Sequence, residues 1–198
     1  MKKTIFYIVI LFSVATSGVC QSTNVRIIAP TSFKQNISGN RNQSKTQTTD
    51  IWPRIFDLGC SAGGLDITES YDSGYIITGT FVDNEGNYTT GIIMKTDVNG
   101  NPMWQRHVLS SGEKLNVMKR TGSTKDGGCI STGLTTQVDN CLSYICHDAW
   151  IIKFDACGNK EWCKVYSVPM DTDYGVDIVQ NDNGNYIALV NLYGTDSI

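Results

Sequence analysis

Asp72, Ser73, Gly74, Tyr75, Ile76, Ile77, Thr78, Gly79 returns 54 residues later as Asp126, Gly127, Gly128, Cys129, Ile130, Ser131, Thr132, Gly133. Each copy runs on to a second shared block. Gly91, Ile92, Ile93, Met94, Lys95, Thr96, Asp97 leads to Gly100, Asn101 and Trp104, and Ala149, Trp150, Ile151, Ile152, Lys153, Phe154, Asp155 leads to Gly158, Asn159 and Trp162. The offset at the back is 58, so the second copy carries four extra residues in its middle loop. A third front half follows, with Gly175, Val176, Asp177, Ile178 repeating Gly64, Leu65, Asp66, Ile67, and Asn183, Gly184, Asn185, Tyr186, Ile187 repeating the turn and strand. Ile51, Trp52, Pro53, Arg54 look like the last strand of a preceding unit. Self-similarity at a fixed period of this length marks an array or a propeller.

Within one unit, four short segments of period-two or fully apolar character lie at roughly 64–70, 74–82, 89–97 and 101–108, separated by Gly, Asn and Asp. Each junction holds a residue that tolerates the left-handed backbone of a tight hairpin. The sequence therefore predicts an all-β fold of β-propeller-like, four-stranded antiparallel blades, with units at about 64–108, 115–166 and a partial 175–198. Trp104 and Trp162 fall at the same place in the last strand, where a flat ring packs between neighbouring blades. About two and a half blades make an incomplete ring, since closure takes about four to eight. The expectation is a fragment of a longer reading frame, with self-assembly or an open stack as alternatives.

The run Asp126, Gly127, Gly128, then Asp148 to Asp155, Gly158, Asn159 and Trp162 resembles the repeat of secreted, propeller-like proteins of bacteria that use type IX secretion, over about residues 51–198. That resemblance implies display or release outside the cell. Asp97, Gly100, Trp104 and Asp155, Gly158, Trp162 also resemble, more weakly, the tryptophan-docking repeat of quinoprotein propellers. The Asp-to-Gly spacing is one residue short of that repeat and its Thr is absent, so the likeness speaks for the fold and not for a quinone cofactor.

Lys2 and Lys3 precede an apolar run from Ile5 to Val14 and then small residues, the pattern of a secretory signal peptide over 1–20 and too short for a spanning helix. Cleavage after Cys20 is expected, with lipidation of Cys20 as the alternative. The chain is read as exported, to the cell surface, the medium or the periplasm, with no transmembrane segment once the signal is removed. Residues 21–50, rich in Ser, Thr, Asn and Gln, read as a flexible leader. The alternative there is that Val25, Arg26, Ile27, Ile28 adds an outer strand to a blade. Residues 51–198 hold 10 basic against 18 acidic side chains, a net charge of −8 that argues against nucleic acid as a partner. Lys114, Lys119, Arg120 and Lys125 form only a small interrupted basic group.

Six cysteines remain after Cys20, and an even number in an exported chain reads first as disulfides. Cys141 and Cys146 are expected to staple the enlarged loop; Cys157 with Cys163, or Cys60 with Cys129, are further pairings among fifteen connectivities. A zinc site at Cys141, Cys146 and His147 lacks a second ligand cluster. Asp97, Asn99 and Asn101, with Asp182 and Asn183 as a second turn, are candidate calcium ligands, but the distal Glu of an EF-hand loop is absent, and the expectation is ordinary turn chemistry with no cofactor. His107 and His147 are the only histidines and accompany no nucleophile motif. The functional expectation is a non-enzymatic scaffold that binds an extracellular protein or glycan. Its alternatives are part of a secreted hydrolase or lyase with channel carboxylates, or a spacer for a further C-terminal domain.

Overall fold

The computed structural model of the chain describes residues 4–11, 26–28, 34–35, 56–58, 61–82, 86, 88–109, 115–136, 146–168 and 171–193. Among these there is no helix. The strands are β1 (Thr4–Leu11), β2 (Arg26–Ile28), β3 (Lys34–Gln35), β4 (Phe56–Asp57), β5 (Ala62–Glu69), β6 (Tyr75–Val82), β7 (Thr89–Thr96), β8 (Pro102–Leu109), β9 (Asn116–Ser123), β10 (Cys129–Thr136), β11 (His147–Phe154), β12 (Lys160–Tyr166), β13 (Tyr174–Gln180) and β14 (Tyr186–Tyr193). The four segments expected in the first repeat thus become β5 to β8, with ends moved by no more than two residues.

Each full repeat is one antiparallel meander. The second unit has the order β12-β11-β10-β9, and the first has β8-β7-β6-β5 with β2 added outside β8. The third unit pairs β13 with β14. Identical turn chemistry closes the first hairpin of every unit. Ser73 N donates to Ser70 O at 3.0 Å, Gly127 N to Thr124 O at 2.9 Å and Gly184 N to Asn181 O at 3.0 Å. A left-handed residue follows in each, with φ of 64° at Ser73, 81° at Gly127 and 82° at Gly184, as a three-residue hairpin loop requires. The first strand of each unit bulges where the second passes, between Gly64 and Asp66, opposite Thr132 and Gly133, and between Gly175 and Asp177.

The third strand is the most buried in both full units, because sheet neighbours lie on its two edges and other units on its faces. Trp150, Ile151, Ile152, Lys153 and Phe154 are all at most 1% exposed. Alternation sends Trp150, Ile152 and Phe154 into a cluster with Ile76, Ile93, Val108 and Met118 of the first unit and the start of the second. Ala149 and Ile151 go the other way, to Ile178, Tyr186, Ala188 and Val190 of the third unit. Burying side chains of this size stabilises by about 1.5–3 kcal/mol each, and these two clusters join the three units. Trp104 packs against the first cluster and Trp162 against the second, which is the inter-unit place expected of both.

Three N-terminal segments lie in strand pairings. Arg26–Ile28, in the stretch read as flexible leader, pairs antiparallel with Leu109–His107 and so takes the outer-strand alternative. Lys34–Gln35 pairs with Phe56–Asp57. Thr4–Leu11, read as the core of a signal peptide, lies antiparallel on β14 over all eight residues. The reason is common to β1 and β2. An exposed sheet edge offers a row of unpaired N–H and C=O groups, and an apolar extended segment satisfies them.

Candidate functional site: the repeated polar residues and the third-unit edge

The polar residues of the repeat converge on the hairpin turns. Lys95, 3% exposed on the third strand, places Nζ 2.8 Å from Asp72 Oδ2 of its own first turn. It also donates to Gly127 O of the next unit at 3.1 Å. Lys153, 1% exposed, repeats the arrangement with Asp126 at 2.7 Å and adds Glu161 at 2.9 Å. An ammonium this deep persists only when paired. Burial works against the charged Lys153, and the hydrogen bonds its ammonium donates to Asp126 and Glu161 outweigh it, so its pKa stands above that of ordinary lysine. The Lys95 ammonium and the Ser70 hydroxyl hold the Asp72 carboxyl down to about 2.

A second grip reaches across the units. Trp104 Nε1 donates to Ala156 O at 2.9 Å, while Arg106 donates through Nε to Gly158 O at 3.0 Å and through Nη2 to Cys157 O at 2.8 Å. The Arg106 guanidinium stands 5.6 Å from the Trp104 ring centre, within range of a cation–π contact. The last strand of the first unit thereby clasps the turn between the third and fourth strands of the next one. Gly158 has φ of 77°, and a Cβ there would lie 2.7 Å from Trp104 Cδ2. The sequence shows both residues as repeat markers, but not that they touch each other.

The candidate calcium ligands build the equivalent turn of the first unit. Asp97 Oδ1 accepts from the backbone N–H groups of Asn99 at 2.9 Å and Asn101 at 2.8 Å, and Oδ2 accepts from Asn101 Nδ2 at 2.8 Å. Asp155 does likewise for Cys157 and Asn159. Both carboxylate oxygens are thus already acceptors within an Asx-type turn. No group of three His, Cys, Asp or Glu suited to a metal ion occurs among the described residues.

The cysteines correct two pairings. Cys129 and Cys157 are free thiols, the first buried and the second exposed. Cys146 and Cys163 are disulfide-bonded. Cys157–Cys163 and Cys60–Cys129 are therefore set aside. Cys129 is 0% exposed between the first and second units, and Cys157 sits in the turn clasped by Arg106, with its carbonyl and not its sulfur engaged. Cys60 and Cys141 lie outside the described residues, as does Lys114. Burial pushes the Cys129 thiol up to about 12.

The remaining basic residues also bond between units. Arg120 donates to Leu65 O at 3.1 Å, Lys119 stands 4.0 Å over the Tyr174 ring, and Lys125 N donates to Gln180 Oε1 at 2.8 Å. His107 is a half-buried residue of β8. Its Nε2 sits 2.8 Å from Gln105 Nε2, its ring centre lies 4.6 Å from that of Phe81 with the planes tilted by 54°, and burial lowers its pKa. His147 begins β11 in the sheet of the second unit, whereas His107 lies on β8 in the sheet of the first. Among the described residues, no helix is long and apolar enough to cross a membrane.

No protein-family model matches the chain. No curated protein is similar enough to match it in sequence.

Proposed function

We propose that the chain is an exported β-repeat scaffold, its sheets the blades of a propeller-like array, which binds an extracellular protein or glycan without chemical turnover. The observation that carries this reading is the use made of the repeated polar residues. Asp72, Lys95, Asp97, Trp104, Arg106, Asp126, Lys153 and Asp155 all bond to turns, either of their own unit or of the next. What repeats is therefore architecture, and ligand specificity belongs to what differs between units. Export rests on Lys2, Lys3 and the apolar run that follows. Acidic composition favours uncharged or basic ligands over polyanions.

The test has two arms. Export in a bacterial host should release a chain whose first residue is Gln21. The purified product, screened on a glycan array and against polysaccharide, peptide and ester substrates, should bind without converting any of them. Turnover that disappears when one or two acidic residues are changed would replace this reading with that of a hydrolase or lyase.

A further inference from the structure

The turn between the third and fourth strands is built alike in both full units, and in the second it is held by Trp104 and Arg106. In the first unit Asp97 N donates to Asn101 O at 2.9 Å and Gly100 N to Asp97 O at 3.0 Å; in the second Asp155 N donates to Asn159 O at 2.9 Å and Gly158 N to Asp155 O at 3.0 Å. The two glycines have φ of 75° and 77°. Each aspartate carboxylate accepts the same three hydrogen bonds. Backbone so alike directs the carbonyls of Val98, Asn99 and Gly100 as it directs those of Ala156, Cys157 and Gly158, which are the acceptors of the clasp.

Burial sets these two turns apart. Gly158 is buried, with the Trp104 ring against it. Gly100 is buried too, whereas the left-handed residues of the other turns are not: Ser73 and Gly86 are exposed, and Gly127 and Gly184 are half-buried. A glycine at a hairpin tip is covered only when a group lies across it. The repeat names that group. Trp52 and Arg54 precede Trp104 and Arg106 by 52 residues and have the same spacing. Residues 51–55 lie outside the described residues, but the strand that follows them is described. Phe56 and Asp57 of β4 stand where Val108 and Leu109 stand at the end of β8. Both strand ends carry an outer antiparallel strand in the same register, Gln35 and Lys34 facing Phe56 and Asp57 as Ile27 and Arg26 face Val108 and Leu109. β4 thus has the position and the pairing of the end of a fourth strand.

We propose that the turn at 97–101 is the seat of Trp52 and Arg54 of this same chain, so that a fourth strand ending in β4 joins the first unit as β8 joins the second. By the pairings of Trp104 and Arg106, the Trp52 indole N–H donates to Val98 O, the Arg54 guanidinium donates to Asn99 O and Gly100 O, and the indole lies over Gly100. A planar guanidinium, with its donors in a fixed fork, suits two adjacent carbonyls. Pro53 is compatible with the clasp, because every donor in it belongs to a side chain. The inference is independent of export and of ligand binding. It assigns the outer side of this turn to the chain itself and so removes it from the surface open to a ligand.

The test is NMR of the full chain labelled with nitrogen-15. Its four tryptophans give four indole N–H signals, and Trp52→Phe identifies that of residue 52 by its loss. In the parent chain this N–H should exchange with heavy water about tenfold or more slowly than the indole of free tryptophan, since a buried, bonded donor exchanges only on local opening. Gly100→Ala places a methyl group where the ring lies, and should shift the Trp52 signal more than the other three. Gly158→Ala should do the same to Trp104. Exchange of the Trp52 N–H at the free rate would overturn the proposal. So would a Trp52 signal that ignores Gly100→Ala or follows Gly158→Ala instead. Arg54→Ala reads the same contact without straining the turn: it should speed exchange of the Trp52 N–H severalfold, and an unchanged rate would count against the clasp even where Gly100→Ala does not fold.

Discussion

Gly158→Ala tests the clasp between the units through two separable effects. The residue has φ of 77°, and a new Cβ would approach Trp104 Cδ2 at 2.7 Å and Cε3 at 2.8 Å. Gly127 offers the control. Its φ is 81°, but a Cβ there meets only Ala156 Cβ at 3.5 Å, an ordinary contact. Left-handed backbone costs a residue with a side chain about 1–2 kcal/mol, so Gly127→Ala should destabilise by about that much. Gly158→Ala should cost the same plus about 1–2 kcal/mol for displacing the indole and stretching its bond to Ala156 O. The total, about 2–4 kcal/mol, is a large part of the stability of a typical domain. Urea unfolding followed by tryptophan fluorescence gives both values, with unchanged m as the check that the transition is the same one. Trp104→Leu removes the ring that is struck. In that background Gly158→Ala should fall back to the cost of Gly127→Ala, a coupling of about 1–2 kcal/mol in a double-mutant cycle. Equal costs for the two glycines in the parent chain, or no coupling to Trp104, would refute the account of how the units are held.

Gly64 and Gly175 occupy one repeat position, yet a Cβ at Gly64 meets nothing within 4 Å while one at Gly175 would lie 1.8 Å from Thr132 Oγ1. Gly64→Ala should therefore be near neutral, and Gly175→Ala should cost about 2 kcal/mol or more by overpacking, read in the same unfolding assay. Asp72, held down to about 2, stays ionised in the folded chain below the pH at which an unfolded Asp, with a pKa of about 3.9, takes up its proton. Its stabilisation is complete above about pH 5 and is lost as pH falls through about 4 to 2, and Asp72→Asn should flatten that limb of Tm against pH. The carboxylate is 48% exposed, so screening limits the effect to about 1 kcal/mol or less. A thiol reagent at pH 8 should label Cys157 quickly and Cys129 only on unfolding, which peptide mass mapping can follow. Rapid labelling of Cys129 in the native chain would contradict its burial.

The strand order was legible because turn residues and apolar alternation are local signals. Gly74, Gly128 and Asn185 punctuate the hairpins wherever the units are placed. The joints between units were less legible, since Trp104 and Ala156 lie 52 residues apart and nothing local marks a carbonyl as an acceptor for a distant indole. Lys95 and Lys153 could have been found earlier. A charged residue inside the runs Gly91–Thr96 and Ala149–Phe154 needs a carboxylate, and Asp72 and Asp126 recur in step with them. The cysteines misled for the opposite reason: nearness across the Gly158–Asn159 turn suggested a bond, whereas Cys129 and Cys157 are thiols. The edge strand at Thr4–Leu11 was hidden, and that at Arg26–Ile28 legible only as an alternative, because a short apolar run carries the same composition whether it targets, trails or pairs.

The clasp of Trp104 and Arg106 on the turn at 155–159 has a sense of direction, with side-chain donors on one unit and backbone acceptors on the next. A gene built this way can gain or lose whole periods by unequal exchange, and every donor still meets an acceptor. An exchange of half a period leaves a tryptophan facing no turn or a turn facing no tryptophan. The four extra residues of the second copy fall in its middle loop, away from both halves of the joint, where an insertion does not disturb the phase of the array.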